Sequence, residues 1–245
     1  MWCLLFSVLF LGGYSLSEAK KLPLPPYIKA CHKDDPNIDA CALQHAKESI
    51  PQMLNGDKTY GIPILNPLEL ESISVETGGN LTIILSKVKV FGLDKIDVTK
   101  IKVDLPGKAL QFEFKGEKLE ILGKYQMDGK ILVIPLKGNG DCSLIASNVD
   151  IKFNLKYDLV ERDGDEYIQL GENNIDIDLD NLQLQFDNLF NGNEELGKST
   201  NKILNEEWKA VYAELKPAIS KTISTIAVTI VTRVTERVPY KQIFV

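Results

Sequence analysis

The chain has 245 residues, a net charge of −6, 44% hydrophobic and 25% charged residues. That is enough apolar material for a substantial core, and it excludes a chain that stays disordered. A mildly acidic surface without a basic stripe excludes nucleic acid and anionic head groups as the main partner.

The first segment is an apolar run from Met1 to Leu11, followed by Gly12-Gly13-Tyr14 and Ser17-Glu18-Ala19. The run is too short to span a bilayer, and small residues stand three before and one before a cut after Ala19. Residues 1–19 therefore read as a secretory signal peptide, although the start amine is their only basic group. The rest, 20–245, is long enough for one elongated domain, exported to extracellular fluid without stable membrane insertion. A monomer is expected.

Cys3 falls in the signal segment, leaving Cys31, Cys41 and Cys142. A bridge between Cys31 and Cys41 would close a short loop and contribute up to ~3 kcal/mol in an oxidising compartment. Cys142 is left over and reads as a buried thiol packing like a small hydrophobe.

After a proline-punctuated stretch, Asp35-Pro36 suits a helix start, and a short helix is predicted from Pro36 to Met53, ended by Asn55-Gly56. From Leu70 to Phe186 the apolar period switches to two. Leu81, Ile83 and Leu85 alternate and then slip by one to Val88 and Val90; Ile96 and Val98 slip in the same way to Ile101 and Val103. Such alternation predicts a long antiparallel sheet with one wet face, and the slips predict β-bulges that curve it. Asp128-Gly129, Asp163-Gly164 and Gly138-Asn139-Gly140 are read as hairpin turns.

Apolar residues then recur in steps of three and four from Leu196 to Val234, predicting a helix of about 60 Å bent at Pro217. Lys209, Glu214, Lys216, Lys221, Arg233 and Glu236 would line its wet face. The tail from Val238 to Val245 reads as an extended apolar segment returning to a sheet edge. The fold class is α+β: a long C-terminal helix wrapped by a highly curved antiparallel sheet.

Catalytic machinery does not emerge. The two histidines, His32 and His45, have no G-x-S-x-G, S-x-x-K or H-E-x-x-H context. Asp176-Ile177-Asp178-Leu179-Asp180 lacks the glycine and closing glutamate of a calcium loop and reads as a strand with wet carboxylates. No cofactor or metal is expected. Asn80-Leu81-Thr82 is a glycosylation sequon, which makes Asn80 a candidate acceptor.

Apolar capacity remains. The sheet's inner face and the helix stripe either cover each other as a dry core or leave a channel for a lipid-like ligand, and periodicity alone does not choose between them.

Local motifs add to this. Cys31…Cys41, Gly61-Ile62-Pro63-Ile64-Leu65-Asn66-Pro67-Leu68, Phe91-Gly92-Leu93, Gly123-Lys124-Tyr125 and Gly138-Asn139-Gly140-Asp141-Cys142 form a recognisable series. Its densest part is Phe186-Asp187-Asn188-Leu189-Phe190-Asn191-Gly192-Asn193, leading to Leu204-Asn205-Glu206-Glu207-Trp208. Over nearly the whole mature length the chain resembles the takeout and haemolymph juvenile-hormone-binding protein family of insects. The resemblance implies the Cys31–Cys41 bridge, a hydrophobic tunnel along the helix, secretion into haemolymph, and links to feeding or daily behaviour. Hormone carriers of that family have a second bridge late in the fold; Cys142 has no partner for one, so the chain looks more like the takeout branch. Asn66 stands where the family has aspartate.

The reading is a carrier of a small hydrophobic ligand, a terpenoid, fatty acid or similar long molecule. Its tunnel candidates are Phe112, Phe114, Tyr125, Phe153, Ile219, Ile223, Ile226 and Ile230. The alternative is an extracellular signalling protein with a structural or vestigial tunnel; an esterase ranks third.

Overall fold

The computed structural model describes residues 20–76 and 81–245. The signal-peptide reading at 1–19 and the acceptor Asn80 therefore lie outside the described residues.

Helix α1 (Ile38–Met53) begins two residues later than expected, because the Asp35 carboxylate turns the chain first by accepting from the Asn37 amide at 2.8 Å. The Cys31–Cys41 disulfide is formed and ties this helix to the segment before it. That segment also receives the C-terminus: the Val245 amide donates to the Cys31 carbonyl and the Lys33 amide to the Val245 carbonyl.

The sheet has seven antiparallel strands: β1 (Leu68–Glu76), β2 (Thr82–Phe91), β3 (Ile96–Asp104), β4 (Ala109–Ile131), β5 (Ile134–Arg162), β6 (Asp165–Asp178) and β7 (Asn181–Phe186). The frame is the β4–β5 hairpin, paired in one register from Ala109↔Lys156 to Ile131↔Ile134, with only Glu117 and Asn148 left out of the ladder. Each long strand is shared by two short ones. β3 pairs with the first part of β4 and β2 with its second part, while β7 and β6 divide β5. Register shifts fall between Ser86 and Lys89 and between Val98 and Lys100, at the two predicted slips. They let a strand change face without leaving the ladder, which is how so long a hairpin can curl.

Four sequence expectations require correction here. Asp128-Gly129 is not a turn; it sits inside β4, and the turn is Leu132–Val133. The longer pairing places Ile131 and Leu136 inside at 1% and 3% exposure, which a turn at 128–129 would forfeit. Gly138 and Gly140 are also not a turn but part of β5. A Cβ on Gly140 would lie 2.4 Å from the Asp187 carbonyl oxygen, so glycine is required there by the chain crossing over it. Asp163-Gly164, with φ of 50 and 76, does form the expected two-residue turn between β5 and β6.

The third correction concerns the helix, which is two: α2 (Glu194–Glu206) and α3 (Trp208–Thr235), broken at Glu207 (φ −100, ψ 22). The stripe hides the break because Leu204 and Val211, either side of it, are buried in the same core cluster. α2 rides on the free edge of β7, where the Asn201 amide spans the N–H and C=O of Phe186 (3.0 and 2.8 Å) and Asn205 does the same to Leu184 (2.9 and 2.7 Å). These two side chains replace a missing eighth strand. The tail is likewise not extended throughout: it forms a short helix, α4 (Tyr240–Ile243), before Phe244 bridges to Cys31 rather than to a strand.

Asp165, buried where β6 begins, accepts from Lys21 and from Lys241 Nζ (2.6 Å) and so binds both ends of the chain to the sheet. The Lys21 and Lys241 ammoniums hold its carboxyl below the usual carboxylate range. A lowered folded pKa means the contribution is complete above pH ~4 and fades as pH falls through the folded value. In thermal melts, Asp165→Asn is expected to be less stable than the parent at pH 7 and to lose less on acidification. Equal acid sensitivity of the two proteins would contradict the assignment.

Candidate ligand-binding cavity

Between α3 and the concave face of β1, β2, β4, β5 and β7 lies a cavity of about 290 Å³. Its wall is built by alternation, with a change of phase in β5 around Asn148: Ile73 and Val75 from β1, Ile83 and Leu85 from β2, Leu119, Ile121 and Met127 from β4, Leu144 and Ile151 from β5. α3 closes it with Val211, Tyr212, Leu215, Ile219, Thr222, Ile223 and Ile226, residues spaced to share one face.

Among the described residues on the wall, only Tyr212 and Thr222 carry hydroxyls, and both donate within the protein. Tyr212 Oη donates to the Ile177 carbonyl (2.7 Å) and Thr222 Oγ1 to the Ala218 carbonyl (2.9 Å). Burial pushes the Tyr212 phenol up to about 12, so it stays neutral. A water in such a space needs two to four polar partners, and this wall does not offer them. The chemistry that matches is apolar. Ile223 is on the wall yet 36% exposed, which puts the approach from solvent at the middle of α3.

The tunnel candidates separate into groups. Ile219, Ile223 and Ile226 stand on the cavity wall. Phe112 stacks on Phe114 and meets Phe153 at a tilt (centroids 6.2 and 6.4 Å apart) in a second cluster, further along β4 and β5. That cluster shares Val149 and Ile177 with the cavity wall. Tyr125 packs edge-on against Phe186 and donates to the Asp187 carbonyl at 2.6 Å. Ile230 belongs to a cluster with Tyr60, Ile62 and Val238. The β1 and β2 wall residues and Leu215 were visible only as ordinary core periodicity, which no signal in the sequence separates from a cavity.

Other sites are weaker. A larger hollow of about 660 Å³ between β6 and α3 is lined by Asn173, Asp176, Lys216, Lys221 and Ser224 among others. Lys216 Nζ lies 2.7 Å from both Asp176 and Asp178, and Ser224 Oγ donates to Asn173. Asp176 and Asp178 thus hold α3 on β6, while Asp180 accepts from Asn148 of β5 (3.0 Å). Cys31, Cys41 and His45 bring their ligand atoms within 4.8 Å of one another, but a disulfide supplies no thiolate for a metal. Cys142 is buried, and desolvation pushes its thiol up to about 11, so it is inert.

The profile of the family described as haemolymph juvenile hormone binding protein matches residues 4–245. The circadian clock-controlled protein daywake of Drosophila melanogaster is 27% identical over 232 residues, covering 90% of this chain and 88% of that protein. Its Drosophila yakuba counterpart is 25% identical over 255 residues, covering 99% and 96%. Among solved structures, Takeout 1 of Epiphyas postvittana superposes with a TM-score of 0.77 at 25% identity, covering 89% of this chain and 99% of that one.

Proposed function

The chain belongs to the haemolymph juvenile hormone binding protein family, a family of ligand-binding carriers, and from that premise we propose that it carries one long apolar molecule in the cavity under α3. The observation that carries this reading is the wall itself: apolar throughout, with its two hydroxyls already donating inside the protein. Filling such space is favoured by burial, each ligand methylene contributing about 0.8 kcal/mol. In this reading Ile219, Ile223 and Ile226 touch the ligand, and the Phe112–Phe114–Phe153 cluster stops its far end.

Secretion as one domain of residues 20–245 into extracellular fluid is part of the proposal. It is supported by the signal-peptide pattern at 1–19 and the disulfide. The clock-controlled description of the fly relatives supports a supply that varies through the day, which transcript levels over one cycle would reveal.

The test is a series of fluorescent-displacement titrations with fatty acids and alcohols of increasing length. Each methylene buried contributes about 0.8 kcal/mol, so Kd is expected to fall about fourfold per carbon until the cavity is full, then to level off. Exchanging acid for alcohol at fixed length is expected to matter less than two added carbons. Affinity that ignores length would overturn the reading.

A further inference from the structure

The β4–β5 turn breaks the rules its own sequence could have followed. Asp128-Gly129 is available four residues earlier, yet the turn is made by Leu132, at φ 53, and Val133. Positive φ is unfavourable for a branched apolar residue, and two-residue turns ordinarily recruit Asn, Asp or Gly. The result is an apolar tip: Leu132 is 41% exposed and Val133 90%. A feature that forgoes local stability in this way is a place to look for function.

We infer that the Leu132–Val133 tip is a lipid-contact element that seats this end of the protein on a membrane surface. Two side chains fall far short of the ~800 Å² per partner that a stable protein interface needs, whereas a bilayer interface accepts apolar side chains singly. Around the tip the exposed Lys130 and Lys137 are balanced by Asp128, 3.4 Å from Lys137, and by Glu214, so its contact with a bilayer is apolar rather than electrostatic. The tip is also coupled to the cavity. Ile131 and Leu136, on either side of it, are wall residues, and the Leu132 amide donates to Glu214 of α3 (2.9 Å), next to the wall residue Leu215. Lipid contact at the tip therefore presses directly on two sides of the cavity. Lipid binding itself does not depend on the carrier reading; only a role in ligand delivery rests on it.

The experiment is vesicle flotation of the full purified chain with phosphatidylcholine vesicles, without and with added phosphatidylserine. It compares the parent with Leu132→Gly/Val133→Asn, which puts glycine at the position of positive φ and so keeps the turn and the fold. The parent is expected to partition onto vesicles at least tenfold more than the variant. Phosphatidylserine is expected to change binding less than about twofold, because the two lysines near the tip are matched by Asp128 and Glu214. Equal partitioning of the two proteins, or no flotation of the parent, would overturn the inference. A parent that floats but shows no fatty-acid binding would sink the carrier reading and leave this one standing. Where both hold, a fluorescent fatty acid should move to vesicles at a rate that rises with vesicle concentration, and the variant should lose that dependence while keeping its ligand affinity.

Discussion

Ala146→Phe is expected to weaken binding of a sixteen-carbon probe about a hundredfold while leaving the protein folded and its melting temperature unchanged or raised. Ala146 sits on β5 opposite Leu119 of β4 and Leu182 of β7, at the waist between the cavity cluster and the phenylalanine cluster. It is the smallest side chain on the cavity wall among the described residues. A phenyl ring there occupies space the ligand needs, displacing three to four methylenes, or about 3 kcal/mol of burial. The same ring fills apolar volume in the free protein, so folding should not suffer unless it is too large for its neighbours. Short probes that end before the waist should bind the variant nearly as well as the parent. Parallel loss for short and long probes would mean that the ligand does not lie along this axis. The signature is therefore a shortened optimum length, which a general loss of structure would not produce.

Asn201→Ala should be the most destabilising of the polar substitutions. Asn201 is 9% exposed, and its amide satisfies both the N–H and the C=O of Phe186 on the outer edge of β7. Alanine leaves a buried donor and acceptor with no partner, each costing about 1–3 kcal/mol. A total of about 3 kcal/mol corresponds to a fall in melting temperature on the order of 10 °C in a domain of this size. Asn201→Asp is expected to do no better, because a carboxylate accepts from the Phe186 amide but cannot donate to its carbonyl. Asn205→Ala, one turn on at Leu184, should act in the same direction, and the double variant should release α2 from the sheet. Circular dichroism melts of the four variants beside the parent check this. A change of less than 2 °C in Asn201→Ala would show that water replaces the amide at that edge.

Much of this architecture was legible as period. The alternation of Leu81, Ile83 and Leu85 and its slip to Val88 read correctly as a bulged strand, because a half-buried ladder leaves a period-two signature. Asp163-Gly164 read correctly as a turn for the same local reason. Where local chemistry and tertiary pairing competed, pairing won. Asp128-Gly129 has the right residues for a turn but lost to the burial of Ile131 and Leu136. Gly138 and Gly140 look like turn glycines but answer to the chain packed across them. The break at Glu207 left no mark, since both helices feed one core.

The cavity was harder. Its wall uses the same Ile, Leu and Val as a solid core, so periodicity named candidates on α3 but gave no basis for preferring Ile219 over Ile230. Large aromatics were natural candidates, yet a bulky ring fills space as readily as it lines it. Phe112, Phe114 and Phe153 fill theirs by packing ring against ring around Phe112. Hollow and filled regions of one apolar face differ only in how far the opposite wall stands, and that distance is set by strands far apart in sequence.

The most direct measurement is native mass spectrometry of the chain secreted from insect cells, before and after exposure to a panel of fatty acids and terpenoids. One adduct per chain is expected, lost on denaturation, with a mass that lipid extraction identifies. A protein that takes up no apolar molecule from expression or from the panel would contradict a carrier, and would shift the weight to a signalling protein whose cavity is structural.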